Sequence, residues 1–128
     1  MVERAATERD PALTAELAAR LRDWGADLVG VADADDFAEA PPAKRPRAIL
    51  RDARAVAIFA CRIPLGSSTA KPTVSYLQFG YYGLEAFINT LAQRASVWLE
   101  DRGFLAAATP AGRDITGLRV SERGPLPK

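Results

Sequence analysis

Residues 25–32 read GADLVGVA, and this stretch marks the point where a helix gives way to a strand. Gly25 is a candidate helix C-cap, because glycine adopts the left-handed backbone at the end of a helix without steric cost. Val29 and Val31 favour an extended backbone. We therefore predict that a helix ends at Gly25 and that a strand occupies residues 27–32.

An amphipathic helix is predicted on the N-terminal side of this stretch. Asp10 can accept a hydrogen bond from a backbone amide as the N-cap, and Pro11 suits the first helical position. Apolar residues then recur at helical spacing and form one stripe, which consists of Leu13, Leu17, Leu21 and Trp24. Residues 1–9 are mostly polar or small and predict a flexible leader.

On the C-terminal side, residues 55–63 predict a second strand that stops at Pro64. A nearly continuous apolar run of this length is typical of a central strand covered on both faces. Residues 33–46 carry acidic side chains and a proline pair, which predict a surface loop, and a short helical turn is expected at 47–52. Residues 64–72 predict a turn-rich loop, where a ligand would bind in an α/β sheet.

A long helix is predicted over residues 82–102, because apolar side chains follow helical spacing on one broad face until Gly103. Residues 104–109 predict a third strand, and residues 111–128 predict an irregular tail. A chain of 128 residues is long enough for one ordinary core. We therefore expect one α/β domain at 10–110.

The composition limits the kinds of partner that we expect. The chain is 48% apolar and 26% charged, which is globular, and its formal net charge of +1 gives no indication of a nucleic-acid partner. The longest apolar runs are far shorter than the roughly 20 residues that cross a bilayer, and the N-terminus does not resemble a signal peptide. The expectation is a cytoplasmic protein with no membrane partner.

The chain contains one cysteine, Cys61, and no histidine. These counts exclude an internal disulfide, the usual zinc ligand sets, an iron-sulfur cluster held by four thiolates of this chain, and histidine-dependent catalysis. We expect no metal site and no self-contained catalytic set. Cys61 itself is interpreted as structural, because a buried thiol in an apolar strand, with no basic neighbour on its own face of the strand, has a raised pKa and low reactivity.

An aromatic cluster is the first candidate for a cofactor site. Phe79, Gly80, Tyr81 and Tyr82 could line a pocket, because flat rings on a flexible backbone suit a planar macrocycle or an isoalloxazine ring. The alternative is that these residues begin the long helix and pack in the core.

A polar group after the second strand is the other candidate. Arg62, Ser67 and Ser68, with Lys71, could hold a phosphate or carboxylate through charge-assisted hydrogen bonds. The alternative is an ordinary solvated loop. Neither a GxGxxG motif nor a Walker loop supports the phosphate interpretation.

Taken in chain order, these blocks resemble the N-terminal region of epoxyqueuosine-reductase-like iron-sulfur proteins, which are relatives of the corrinoid reductive dehalogenases. The similar blocks are GADLVGVA at 25–32, RPRAILRDARAV at 45–56, RIP at 62–64 and FGYY at 79–82. The resemblance runs from about residue 13 to residue 110 and is most specific at 25–32 and 45–64.

The resemblance implies a nitroreductase-like, three-layer α/β half-domain, with a short sheet and flanking helices, that binds a cobalamin. It also implies a following ferredoxin-like domain with two cubane clusters, whose cysteine motifs do not occur here. Residues 120–123 read VSER, with Glu122 where many members carry another residue. Asp114 lies near the region of the family's acidic proton donor, but residues 109–114 do not reproduce that motif and the role is not carried over.

We therefore expect a truncated or split domain that contributes a cofactor or substrate pocket to an iron-sulfur oxidoreductase. Cobalamin is the leading cofactor candidate, and a flavin, in a nitroreductase-like protein, is the second. The alternative function is a non-enzymatic partner-binding module or a degenerate remnant. The expected partner is an iron-sulfur chain or a second copy of this chain, since a bare apolar face favours self-association.

Overall fold

The computed structural model describes residues 10–111, together with the backbone of residues 120–121 and 124–125. The helices are α1 (Pro11–Trp24), α2 (Pro46–Ile49), α3 (Leu65–Thr69), α4 (Val74–Tyr76) and α5 (Gly83–Glu100), and the strands are β1 (Leu28–Asp33), β2 (Ala55–Ala60), β3 (Val120–Ser121) and β4 (Gly124–Pro125). The predicted fold class is confirmed at the coarse level, since helices and a short sheet occur together.

Helix α1 begins and ends where the sequence indicated. The Asp10 carboxylate accepts a hydrogen bond from the Leu13 amide at 2.9 Å, and Pro11 occupies the first helical position. At the other end, Gly25 has a φ of 122°, and its amide donates to the Leu21 carbonyl at 3.1 Å. The predicted caps are confirmed at both ends.

Strands β1 and β2 form a two-stranded antiparallel sheet, in which Leu28 lies opposite Ala60. Paired residues of an antiparallel ladder share a face, and successive residues alternate between the two faces. Val29 and Phe59, which are paired with each other, lie on the inner face and pack against the helical core.

The described residues leave the outer face of this sheet largely uncovered. Leu28 is 69% exposed and Ile58 is 53% exposed. A Cβ added at Gly30, which is paired with Ile58, would meet no atom within 4 Å. The prediction that β2 is covered on both faces is therefore wrong. An apolar run shows that both faces of a strand carry apolar side chains. It does not show that other segments of the same chain pack against both faces.

The core lies between α1, α5 and the inner face of the sheet. Its buried members are Leu17, Leu21, Ala26, Leu91, Ala95 and Trp98. Leu21 and Leu91 are fully buried, and the removal of each side chain from water contributes about 2 kcal/mol. The predicted stripe of α1 is confirmed by this packing, and that of α5 is confirmed from Phe87 to Leu99. Trp24 lies partly buried at the edge of the core.

Phe87 of α5 packs directly on Gly25. A Cβ placed on Gly25 would lie 2.7 Å from Cζ of the Phe87 ring, closer than real Cβ atoms approach a neighbour. Two separate reasons therefore favour glycine at position 25. Its φ is positive, and the Phe87 ring occupies the space that a side chain at this position would need. This contact brings the end of α1 against the first half of α5.

Helix α4 continues into α5 through a π-helical turn at Leu77–Tyr82. Gly80 is buried in this turn, and a Cβ there would lie 2.7 Å from Cδ2 of Tyr76 and 3.2 Å from Cγ2 of Ile63. The predicted helix over residues 82–102 corresponds to α5. The π-helical turn before it was not predicted, because apolar spacing does not distinguish this turn from α-helix.

The predicted third strand at residues 104–109 is wrong. These residues have no regular secondary structure, and the Phe104 amide donates to the Leu99 carbonyl at 3.2 Å at the end of α5. Three of the six residues are alanine, which is depleted in strands, and no described strand lies beside them.

The predicted loops contain short helical segments. Residues 33–46 include two 3-10 turns, Ala34–Phe37 and Pro42–Lys44. Helix α2 begins at Pro46, one residue before the predicted turn, because proline suits the first helical position. Helix α3 lies within the predicted loop at 64–72.

Several predictions concern residues outside the described part of the chain. These are the leader at 1–9 and the tail residues Asp114 and Glu122. In the tail, the backbone of β3 pairs with that of β4 in a two-residue antiparallel ladder. Among the described residues, no helix is both long and apolar enough to cross a membrane.

Replacing Gly25 by alanine should lower the free energy of unfolding by about 2 kcal/mol, because the new methyl group combines an unfavourable φ with a clash against Phe87. Urea denaturation followed by circular dichroism measures the change. Gly66→Ala is the matched control: a Cβ at this position of α3 meets no atom within 4 Å, and alanine favours helix. Equal denaturation midpoints for the two variants would contradict the role of Gly25.

Candidate functional site

Arg62 lies two residues after the end of β2. Its backbone amide donates to Oδ2 of Asp27 at 2.6 Å, and its side chain is exposed. This hydrogen bond fixes the chain as it leaves the sheet, because Asp27 immediately precedes β1. The guanidinium of Arg62 therefore projects from an anchored backbone position.

Ser67 and Ser68 lie on α3, where the sequence predicted a loop. The Ser67 hydroxyl is 3.2 Å from the Ser75 hydroxyl, so Ser67 joins α3 to the start of α4. Ser68 and Lys71 are exposed. Within the described residues, no hydrogen bond joins Arg62 to either serine.

The aromatic residues of the π-helical turn lie at the surface. Phe79 and Tyr82 are each 62% exposed, and Tyr81 is about half exposed. The Cα of Gly80 faces inward, so that a Cβ at this position would meet Tyr76 and Ile63. The alternative interpretation, in which these aromatic side chains pack in the core, is therefore wrong. Gly80 is buried, but the three rings are exposed.

The rings of Tyr81 and Tyr82 meet edge to face, with centroids 4.9 Å apart and planes at 80°. Two rings in this arrangement cannot both lie flat on one side of a planar ligand. Phe79 and Tyr82 are the more exposed of the three rings. A planar ligand would therefore lie flat on one of the two tyrosine rings and not on both.

A shallow groove of about 160 Å³ lies beside the turn. It is lined by Gly80, Tyr81, Leu84, Glu85, Ile88 and Ala111. The Ala111 amide donates to Oδ1 of Asn89 at 2.8 Å, which holds this residue beside α5. Two predicted cofactor-binding residues, Gly80 and Tyr81, are brought together here.

Sequence reasoning missed the other residues of the groove. Leu84 and Ile88 are one helical turn apart, and this spacing predicts that both side chains lie on the core face of α5. No local signal identifies Ala111, which reaches the groove because the chain turns back after α5. The groove is smaller than the roughly 300–1,000 Å³ of typical small-molecule pockets.

Exposed apolar residues continue from the turn onto α3 and α4. We define the aromatic surface as Leu65, Val74, Leu77, Phe79 and Tyr82, all of which are exposed, with Leu65 at 77%. Helices α3 and α4 contact each other and the π-helical turn, so these residues lie on three neighbouring elements. Large exposed apolar patches are uncommon on monomers and mark surfaces that bind a partner or ligand.

Cys61 lies just beyond β2 and is half-buried against the core. Burial raises the pKa of the thiol, and the negative charge of Asp27 raises this pKa further. The Cys61 Sγ lies 3.8 Å from the Gly25 carbonyl oxygen, a contact across which the thiol can donate weakly. The predicted direction of the pKa shift is confirmed, although the strand ends one residue before Cys61.

Comparison with known proteins adds no assignment. No family model, no curated protein and no solved structure matches this chain.

At pH 8, Cys61 should react more slowly with Ellman's reagent than a free cysteine, since a raised pKa lowers the thiolate fraction. Asp27→Asn removes one cause of the raised pKa but leaves burial, so we expect the reaction to become faster while staying slower than that of free cysteine. Asp23→Asn, which alters an exposed carboxylate of α1, should leave the rate unchanged. An unchanged rate in Asp27→Asn would show that Asp27 does not influence the thiol.

Proposed function

We propose that this chain is a cofactor-binding α/β unit of an iron-sulfur oxidoreductase that resembles the epoxyqueuosine reductases, and that the aromatic surface meets a second polypeptide surface to enclose the cofactor. One observation carries the proposal: the exposed rings of Phe79 and Tyr82 belong to the same π-helical turn as Gly80 and Tyr81, which line a groove that is too small to enclose a cofactor on its own. Exposed rings at a π-helical turn support a ligand-binding role, since such turns are frequent at functional sites.

The residues of the turn fit one face of a planar group. Phe79 and Tyr82 offer apolar contact, and the groove lined by Gly80 and Tyr81 carries a carboxylate, Glu85. A corrin or an isoalloxazine ring is wider than this groove, so a second wall is needed to exclude water. Cobalamin is the first candidate, and FMN is the second, in a nitroreductase-like arrangement.

The electrons would come from outside these 128 residues. The chain has a single cysteine, whereas a cubane cluster takes four thiolates. A bound cobalamin would supply the reducing chemistry, and this chain would supply apolar contacts to one face of the cofactor. The exposed side chains of Arg62 and Ser68 would be available to a phosphate or amide group of the cofactor.

A non-enzymatic partner-binding module is the second candidate, and the outer face of the sheet favours it. Leu28, Gly30 and Ile58 present an apolar surface without a cover among the described residues. Neither β1 nor β2 pairs with a further described strand, so both strands also have an open edge. Neither strand contains proline or lysine, which commonly protect such edges from pairing.

Titration of the purified chain with hydroxocobalamin, and separately with FMN, tests the cofactor proposal. We expect saturable binding of one of them, seen as an absorbance change and as fluorescence quenching of the two tryptophans. Phe79→Ala should weaken this binding about tenfold, because a ring contact with the ligand is lost. Val97→Ala, which removes an exposed apolar side chain near the far end of α5, should bind like the unaltered chain.

Two results would contradict the cofactor proposal. One is the absence of saturable binding to both ligands, which would leave the partner-binding module as the better explanation of the aromatic surface. The other is equal weakening in Phe79→Ala and Val97→Ala, which would indicate non-specific adsorption.

The outer sheet face also predicts concentration-dependent self-association in sedimentation experiments. Ile58→Lys places a charge on this face and should shift the chain toward monomer, because a buried unpaired charge opposes association. Gln93→Lys adds the same charge at an exposed position of α5 and should leave the association constant unchanged. A chain that stays monomeric without any substitution would contradict self-association through this face.

A further inference from the structure

A cavity of about 320 Å³ lies away from the aromatic surface, between the first 3-10 turn and the start of α2. One wall is formed by Ala34, Asp35, Phe37 and Ala38, and the other by Arg45, Pro46 and Arg47. We call it the Arg45 cavity. Its volume is at the lower end of the roughly 300–1,000 Å³ range of small-molecule pockets, so it suits a ligand much smaller than a corrin.

An ion pair holds the two walls together. Nη1 of Arg47 lies 2.6 Å from Oδ1 of Asp35, so α2 is tied to the 3-10 turn. The Asp35 amide in turn donates to Oδ1 of Asp33 at 2.9 Å, which caps that turn. The acidic loop therefore positions one wall of the cavity, and the Asp35 carboxylate is already paired with a cation.

Arg45 is held in a way that leaves most of its donors available. Its Nε donates to the Ala40 carbonyl at 2.9 Å, which anchors the guanidinium by its inner nitrogen. A guanidinium has five N–H groups, and the four on the two Nη atoms make no hydrogen bond with the described residues. This fork matches the geometry of a carboxylate or a phosphate.

The remaining lining is apolar. Phe37 is half-buried, and Ala34 and Pro46 are buried. The lining carries two arginines and one carboxylate, so its net charge is +1. An apolar floor beside an anchored guanidinium suits a ligand with two parts, one flat and apolar and one anionic.

We propose that the Arg45 cavity binds a small organic anion, in which a carboxylate or phosphate contacts the Arg45 fork and an aromatic or similar flat group packs against Phe37 and Pro46. The ligand class follows from the side chains that line the cavity. This site is independent of the cofactor proposed above, because its residues lie on different elements and its volume excludes a corrin.

Phenyl phosphate, benzoate and inorganic phosphate are the probes, titrated at constant ionic strength and followed by amide chemical shifts in two-dimensional NMR. We expect phenyl phosphate or benzoate to give saturable shifts at Ala34, Phe37 and Ala38, with inorganic phosphate weaker than phenyl phosphate. The stronger of the two aromatic probes identifies the preferred anion. No saturable shift at these amides up to about 10 mM of any probe would overturn the proposal.

Arg45→Gln should weaken binding of the preferred probe about tenfold, because a charge-assisted hydrogen bond is lost. Arg51→Gln is the matched control, since it removes the same charge from an exposed residue that does not line the cavity. Equal weakening by both substitutions would overturn the proposal, because it would show diffuse electrostatic attraction instead of a fork at one site.

Phe37→Leu tests the apolar half of the site. Its result stays informative even if the Arg45→Gln variant does not fold. It should reduce the preference for phenyl phosphate over inorganic phosphate about threefold while leaving inorganic phosphate affinity unchanged. Arg45→Lys keeps the charge, and it should still bind more weakly than the unaltered chain, because lysine lacks the planar fork. An unchanged preference in Phe37→Leu, or unchanged affinity in Arg45→Lys, would overturn the proposed contacts.

Discussion

The contact between Phe87 and Gly25 is the constraint on which the arrangement of this chain depends. Because the ring fills the space where a side chain would start at residue 25, α5 lies directly against the link between α1 and β1. The inner face of the sheet, α1 and α5 then share one core around Leu21 and Leu91. The position of the π-helical turn follows from the same contact, since it immediately precedes α5. The aromatic surface is thus presented by a helix that the core holds in place.

The far end of the α1–α5 pair is held by polar interactions of Arg102. Its guanidinium lies 3.5 Å from the centroid of the Trp98 ring, and its Nη1 donates to the Trp98 carbonyl at 3.1 Å. Nε of the same side chain lies 3.9 Å from Oε2 of Glu16 on α1. The guanidinium–ring contact covers one side of the buried tryptophan, whereas the exposed ion pair contributes little to stability. The apolar contact near Gly25 therefore joins the helices at one end, and the ion pair between Arg102 and Glu16 connects them at the other.

The sequence was most informative where structure is decided by neighbouring residues. Asp10, Pro11 and Gly25 determine the ends of α1 through local hydrogen bonds and backbone preference, and the stripe through Leu17 and Leu21 identifies the buried side of this helix. The cover of β2 could not be predicted, because it depends on which segment packs against each face. The same distinction between local and tertiary interactions applies to the candidate site. The aromatic cluster was found by its composition, but the burial of Gly80 and the exposure of its neighbours depend on helix geometry. The Arg45 cavity depends on tertiary contacts such as the ion pair between Asp35 and Arg47, which are twelve residues apart.

The π-helical turn makes the direction of the rings depend on the number of residues as well as on their identity. Each residue of an α-helix advances the chain by about 100° around the axis, so one residue more or fewer between α4 and α5 would rotate everything before it by about that angle. Phe79 would then point elsewhere even though every side chain except one was retained. A one-residue insertion or deletion at this turn would therefore redirect the aromatic surface while the core of α5 stayed the same. The length of residues 77–82 in this sense sets the direction of the exposed rings independently of the hydrophobic core.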